Sequence, residues 1–214
     1  MDIVLRQEEE KDYRETENVI REAFWNHFVP ACDEHYILHL MRNSPDFVPE
    51  LDIVATYNGK IVGNVDYIKS YIISDDGNHI EVLTLGPIGV LPEYQRKGIG
   101  GKLIDCSRKI ARDMGFRAIF LFGDPDYYTR HGFVPAESKG IRTVDNMYHG
   151  AMHVCELYEN ALNGIKGRFI EHDIYKVDEE KAKKFDSNFP KKEIVIGTPS
   201  QEKFKNVSTL IKKA

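Results

Sequence analysis

Cysteine is scarce in this 214-residue sequence: Cys32, Cys106 and Cys155 stand far apart, in no C-x-x-C or zinc-finger spacing. An odd, scattered set excludes a disulfide framework and a cysteine-built zinc site, so a reducing cytoplasm is the expected compartment. Long hydrophobic runs are missing too, and nothing approaches the ~20 apolar residues that a membrane span requires. The start, Met1-Asp2-Ile3-Val4-Leu5-Arg6-Gln7 and then three glutamates, lacks the basic and apolar stretches of a signal peptide. Nor is there an excess of positive charge. With 29 basic and 34 acidic side chains the net charge is −5, so neither nucleic acid nor an anionic membrane is an expected partner. What is present suffices for a packed core of one or two domains: 42% of residues are hydrophobic and 11% aromatic.

Along the chain, residues 2–6 read as a first strand. Asp12 is placed to cap a helix reaching Phe24, and Asp33 to cap a second one that ends before Asn43-Ser44-Pro45. Asn58-Gly59 lies between two β-rich runs, 51–57 and 61–73, and predicts a hairpin. The turn Asp75-Asp76-Gly77-Asn78 leads into a third run, 80–90. A glycine cluster then precedes a helix with Leu103, Ile104, Ile110, Ala111 and Met114 on one face, stopped by Gly115. Phe116–Phe122 is almost wholly apolar, as in a strand buried on both faces, and short strands near Phe133 and over 152–157 complete the sheet. Strand, glycine turn, helix and strand follow one another as in a βαβ unit. Residues 176–214 hold ten lysines against six acids. They predict a weak helix over 178–185, a frayed end, and Ile194-Val195-Ile196, Phe204 and Leu210-Ile211 as docking contacts.

The chemistry is concentrated in Gly86-Pro87-Ile88-Gly89-Val90-Leu91-Pro92-Glu93-Tyr94-Gln95-Arg96-Lys97-Gly98-Ile99-Gly100-Gly101-Lys102. A strand runs into a glycine-rich turn that opens onto a helix, whose first N–H groups are unpaired and carry partial positive charge. Gly98, Gly100 and Gly101 leave those donors accessible, and Arg96, Lys97 and Lys102 add charge. The result is a pyrophosphate cradle. Two common nucleotide motifs fail: Leu103 follows Gly101-Lys102 where a P-loop needs Ser or Thr, and it also occupies the third glycine position of a dinucleotide fingerprint. The remaining pattern, Gln95-x-x-Gly98-x-Gly100, resembles the acetyl-coenzyme A signature of the GNAT superfamily of N-acetyltransferases.

A second motif strengthens that resemblance. Gly123-Asp124-Pro125-Asp126-Tyr127-Tyr128-Thr129-Arg130-His131-Gly132-Phe133, about 30 residues further on, is similar to the family's aromatic–Tyr–x–x–x–Gly–Phe element. Together with Leu-Gly-Pro-x-x-Val and the Phe-Asp-x-x-Phe-Pro phrase at 185–190, the chain resembles an uncharacterised bacterial GNAT subgroup over most of its length. The resemblance implies an α/β (α+β) fold with a mixed, mostly antiparallel sheet, a splayed parallel strand pair and flanking helices. Residues 1–160 would form the acetyltransferase domain and 161–214 a C-terminal extension docking on it. The resemblance also implies acetyl-coenzyme A as cosubstrate, with Gln95, Arg96, Lys97, Gly98, Ile99, Gly100, Gly101 and Lys102 at its pyrophosphate and Ile88, Gly89 and Val90 along its pantetheine. Tyr128 would be the acid that protonates the departing thiolate. Acetyl would pass directly to a primary amine, on a small molecule or a peptide, in a ternary complex.

The general base is less defined. Thr84 occupies the position where some relatives carry a glutamate. Glu81 is the candidate on the same strand, though alternation puts it on the opposite face unless a bulge intervenes; Asp66, His79 and Glu34 are further candidates. His35-x-x-x-His39 has the spacing of a helical metal pair, but the His-Glu-x-x-His order is absent and no metal is expected. Trp25, His27, Phe28, Tyr36 and His39 are candidates to line the acceptor pocket. A monomer or homodimer is expected. Two other classes stay open: a noncatalytic acyl-coenzyme A-binding sensor or regulatory module, and a nucleotide-binding protein.

Overall fold

A computed structural model describes residues 1–214. The chain opens with β1 (Val4–Gln7), α1 (Tyr13–Phe24) and α2 (Glu34–Met41), followed by β2 (Ile53–Tyr57), β3 (Lys60–Ser74) and β4 (His79–Val90). Next come α3 (Ile99–Asp113), β5 (Ala118–Phe122), the single turn α4 (Pro125–Tyr128), β6 (Val134–Pro135), β7 (Ile141–Arg142), β8 (Met147–His149) and β9 (Met152–Glu156). The C-terminal part adds β10 (Gly167–Ile170), α5 (Glu179–Asp186), α6 (Pro199–Ser208) and β11 (Ile211–Lys213). The main sheet runs β1-β2-β3-β4-β5-β9-β6, and β10 pairs with the far half of β3. Neighbours are antiparallel except β4 with β5 and β10 with β7. This is the expected mixed sheet.

Local chemistry accounts for most elements. Asn58 and Gly59 both take positive φ, 51° and 79°, the geometry of a type I′ hairpin turn. Gly115 at φ 90° ends α3. One face of the sheet packs on α3 through Tyr67, Leu83, Leu85, Leu103, Ile104 and Ile119; the other gathers Ile72, Val82, Phe120, Val154 and Phe169.

Several expectations are corrected. Asp12 stands at the start of α1 but does not cap it. Its carboxylate pairs with the Arg6 guanidinium at 2.5 and 3.0 Å and accepts the Glu9 N–H at 2.9 Å. Asp33 likewise makes no side-chain cap at α2. Met114 is 43% exposed and Phe122 37%: Met114 is the C-terminal cap of α3, and Phe122, though paired with Met152, lies beyond the last β4–β5 pair. The end of the chain is ordered: β11 pairs with β8. Phe204 packs on Phe28 with ring centroids 4.7 Å apart, but Ile194, Ile196, Leu210 and Ile211 are exposed. Polar groups anchor this arm, as where Trp25 Nε1 and Asn26 Nδ2 both donate to the Glu193 carbonyl at 2.8 and 2.9 Å.

Candidate active site

The sheet opens where the two parallel strands separate. β4 and β5 pair only at Leu83–Ile119 and Thr84–Phe120; beyond that point the β5-facing edge of residues 85–90 has no strand partner. The cause lies partly in β4 itself. Val65 pairs with Ile88 and Tyr67 with Leu85, so Gly86 and Pro87 together face Asp66, a bulge that bends the strand. The resulting cleft, about 790 Å³, is large enough for a sizeable ligand.

One end of the cleft is the glycine turn. Arg96 and Gly98 adopt positive φ, 59° and 79°, and thereby turn the chain into α3. The amides of Arg96, Lys97, Gly98, Ile99, Gly100 and Gly101 donate to no protein acceptor. Such a row of unpaired donors at a helix start fits a phosphate. Gly100 and Gly101 also leave room for the Tyr127 hydroxyl and the His131 ring, which a Cβ at either position would strike. Gln95, Arg96, Gly98, Ile99, Gly100 and Gly101 line the cleft; Lys97 and Lys102 do not. Lys97 Nζ is turned back to the Glu93 carbonyl at 2.7 Å, over the Tyr94 ring. Gln95 Nε2 donates to the Val90 carbonyl at 2.9 Å and so ties the turn to the end of β4.

Ile88, Gly89, Val90 and Tyr128 line the middle of the cleft. Asp124 caps α4 by accepting the Asp126 N–H at 3.0 Å, with Pro125 at the first position. This short turn lays the Tyr128 ring over Gly123, where any Cβ would overlap it. Tyr127 and Phe133 hold the ring edge-on, 5.0 and 5.6 Å away between centroids. Burial raises the Tyr128 phenol above its ordinary value, so it stays protonated at neutral pH.

Glu81 lies outside the cleft. The bulge sits beyond Thr84, so the strand between them is regular and Glu81 stays on the opposite face. Glu81 pairs with Lys69 at 3.5 Å, and Thr84 hydrogen-bonds Ser70 at 2.6 Å. His79 is exposed at the far end of β4. Glu34 does line the cleft, and so do Glu171 and Tyr175 from the segment after β10. Burial lifts both glutamates to about 7. No motif marks Glu171 or Tyr175 in the sequence; only the pairing of β10 with β3 brings them here. Of the aromatic candidates, His27 and Phe28 line the cleft, joined by Phe24 and Phe204. Trp25 binds the C-terminal arm, Tyr36 packs on Phe185, and His39 pairs with Glu17 at 2.9 Å. His35 and His39 are thus separately engaged, and no group of three or more His, Cys, Asp or Glu is arranged to hold a metal ion.

Comparison with known proteins points the same way. YjhQ, an uncharacterized N-acetyltransferase of Escherichia coli strain K12, is 38% identical over 93 residues, 43% of this chain and 51% of YjhQ. The match therefore spans about half the length of that relative. YhbS of the same strain, also an uncharacterized N-acetyltransferase, is 27% identical over 141 residues, 65% of this chain and 81% of YhbS. The crystal structure of E. coli YhbS in complex with CoA shares the fold, with TM-score 0.71 and 23% identity, covering 82% of this chain and 92% of that one. A GNAT family acetyltransferase from Brucella melitensis in complex with acetyl-CoA superposes with TM-score 0.65 and 25% identity over 81% and 98% of the two chains. Residues 10–133, from the approach to α1 through the Gly132-Phe133 step, match the Acetyltransferase (GNAT) family, and the chain belongs to that family.

Proposed function

We propose that the protein is an acetyl-coenzyme A-dependent N-acetyltransferase acting on a primary amine by direct attack in a ternary complex. The observation that carries this is the alignment, along one cleft, of the unpaired amides of 96–101, the partnerless edge of β4 and the Tyr128 hydroxyl. Acetyl-coenzyme A supplies the activated acyl group as a thioester. The amides of the glycine turn and the Arg96 guanidinium bind its pyrophosphate, and the open edge of residues 88–90 pairs with its pantetheine amides like an added strand. A backbone N–H on that edge polarises the thioester carbonyl.

Attack requires a neutral amine, because an ammonium has no free electron pair. Glu34 and Glu171, lifted to about 7, take up a proton near neutral pH far more readily than an ordinary carboxylate. As nitrogen bonds to the acetyl carbon, the carbon–sulfur bond breaks. Tyr128 donates its proton to the leaving sulfur and is recharged by the proton that the acylated nitrogen sheds. Burial raises a thiol as well as a phenol, which keeps the proton acceptor and donor matched.

Thr84 on the strand and Glu81 turned outward favour a second reading, an acyl-coenzyme A-binding module without turnover. One experiment separates the two: thiol release from acetyl-coenzyme A in the presence of a panel of amines, for the native protein and Tyr128→Phe. The native protein should release thiol, and the variant should lose about a hundredfold in kcat while holding its affinity for acetyl-coenzyme A. Binding without thiol release would support the module, and equal turnover by the variant would remove Tyr128 from the mechanism.

A further inference from the structure

We propose that the acceptor end of the cleft is a site for a small dicationic amine, a primary amine bearing a second ammonium group, held by Glu34 and Glu171 beside the aromatic wall of Phe28 and Phe204. This rests on reading the cleft as an acyl-transfer site and narrows its substrate class.

The charge pattern is the first support. The permanently charged cations on the cleft wall, Arg96 and Arg130, belong to the glycine turn and to the turn after α4. The acids are Glu34, Asp124 and Glu171. Lys203 of α6 neutralises Asp124 at 2.6 Å. Neither Glu34 nor Glu171 forms a salt bridge: Lys176 acts on Glu171 from a distance while paired with Asp173 at 2.7 Å, and Glu34 accepts from backbone amides, the Asp33 N–H at 3.1 Å among them. Carboxylates partly withdrawn from water without a close counter-ion are costly, and burial lifts both.

Unpaired polar atoms give independent support. Asp66 is 0% exposed and neither carboxylate oxygen has a partner. Its Oδ1 sits against Gly86 on the cleft wall, where a Cβ would overlap it. The Tyr175 hydroxyl, on the same wall, is also buried without a partner. Orphaned buried groups of this kind are uncommon; Tyr175 lines the cavity, and Asp66 lies behind Gly86 of its wall, close enough to act on Tyr175. Burial keeps Asp66 protonated, so it and the Tyr175 hydroxyl can donate as well as accept; the ionised forms of Glu34 and Glu171 only accept, and an ammonium offers three donors. The partner that Glu34 and Glu171 lack is therefore cationic, with the Tyr175 hydroxyl free to accept one of its hydrogen bonds.

Two charges follow from the chemistry. The attacking nitrogen must give up its proton, so one carboxylate is neutralised by that proton and no longer needs a counter-ion. The other still does, and a second ammonium supplies it. Ile37, Phe24, Phe28 and Phe204 on the wall would cover the methylenes between the two nitrogens.

The test is calorimetric titration of the full-length protein, with and without coenzyme A, using diaminobutane, butylamine and aminobutanoate. Diaminobutane should bind at least about tenfold more tightly than butylamine, and aminobutanoate should not bind measurably. Glu34→Gln and Glu171→Gln, each checked by thermal unfolding, should reduce the diamine's advantage to less than about threefold. Equal affinities for diamine and monoamine, preference for the amino acid, or no diamine binding up to ~10 mM would overturn the proposal. Amine binding is read without turnover. A protein that binds the diamine but not acetyl-coenzyme A would instead overturn the acyl-transfer reading alone.

Discussion

Arg21 Nε donates to Asp186 Oδ1 at 2.6 Å, joining α1 to α5 across 165 residues of chain. Arg21 is only 1% exposed, and Phe189 and Trp25 lie within cation–π reach of its guanidinium. The Phe185-Asp186-x-x-Phe189-Pro190 phrase is thus a clamp, with two rings packed on His35 and one carboxylate on Arg21. Asp186→Ala leaves a buried guanidinium without its counter-ion. The side chain of Asp186 is 28% exposed, so water recovers part of the loss, and the expected cost is about 2 kcal/mol. Urea denaturation of the two proteins measures it; a change below ~0.5 kcal/mol would show the clamp to be inert.

The same clamp makes stability depend on acid. Burial holds the His35 imidazole down to about 4 despite Asp186, which lies 3.1 Å from Nε2, with Arg21 and Arg14 opposing the added charge. Unfolded, this histidine titrates near ~6.5. Above that pH both states are neutral and the contribution is fully present. As pH falls below it, the unfolded chain binds a proton that the native state refuses. Stability then falls, by up to about 1.4 kcal/mol per pH unit from this residue. His35→Gln should flatten the decline between pH ~6.5 and ~4 relative to the native protein; an unchanged slope in paired denaturation series contradicts the assignment. Cys32, His35 and Asp186 follow one another in the order of a nucleophilic triad. Yet the Cys32 thiol is 4% exposed and burial pushes it far above its ordinary value, so it packs rather than reacts.

At the glycine turn, conformation and ligand access separate by residue. Gly98 has φ 79° but open space where a Cβ would stand. Gly98→Ala should therefore cost about 1 kcal/mol in stability from backbone strain, and about tenfold in acetyl-coenzyme A affinity because the methyl enters the cradle. Arg96→Ala should cost a similar factor that shrinks as salt is added, since its charge faces solvent. Calorimetry at two ionic strengths distinguishes these, and a salt-independent Arg96 effect would contradict a charge role.

The hairpin at Asn58-Gly59 and the glycine turn were legible because each depends on residues close in sequence, whereas the mixed sheet with its splayed pair was implied by the family resemblance. Side-chain engagement was not. Asp12 has the right type and place for a cap but finds Arg6 closer. Glu81 required knowing that the bulge falls at Gly86-Pro87, opposite Asp66 and beyond Thr84, a detail of the β3–β4 register. Lys97 in the turn and Lys102 in the first turn of α3 carry suitable charge, yet neither lines the cleft, and Lys97 is held back on the Glu93 carbonyl. Glu171 and Tyr175 enter only because β10 returns to β3 from a segment with no motif of its own, and this long-range pairing has no local signature.

The central claim is that the splayed strands and the glycine turn hold acetyl-coenzyme A, and calorimetric titration with that ligand, with ATP and NAD as controls, tests it most directly. The account predicts saturable one-to-one binding that neither control reproduces. No heat of binding at protein concentrations able to detect ~100 μM affinity, or ATP binding that coenzyme A cannot displace, would contradict it.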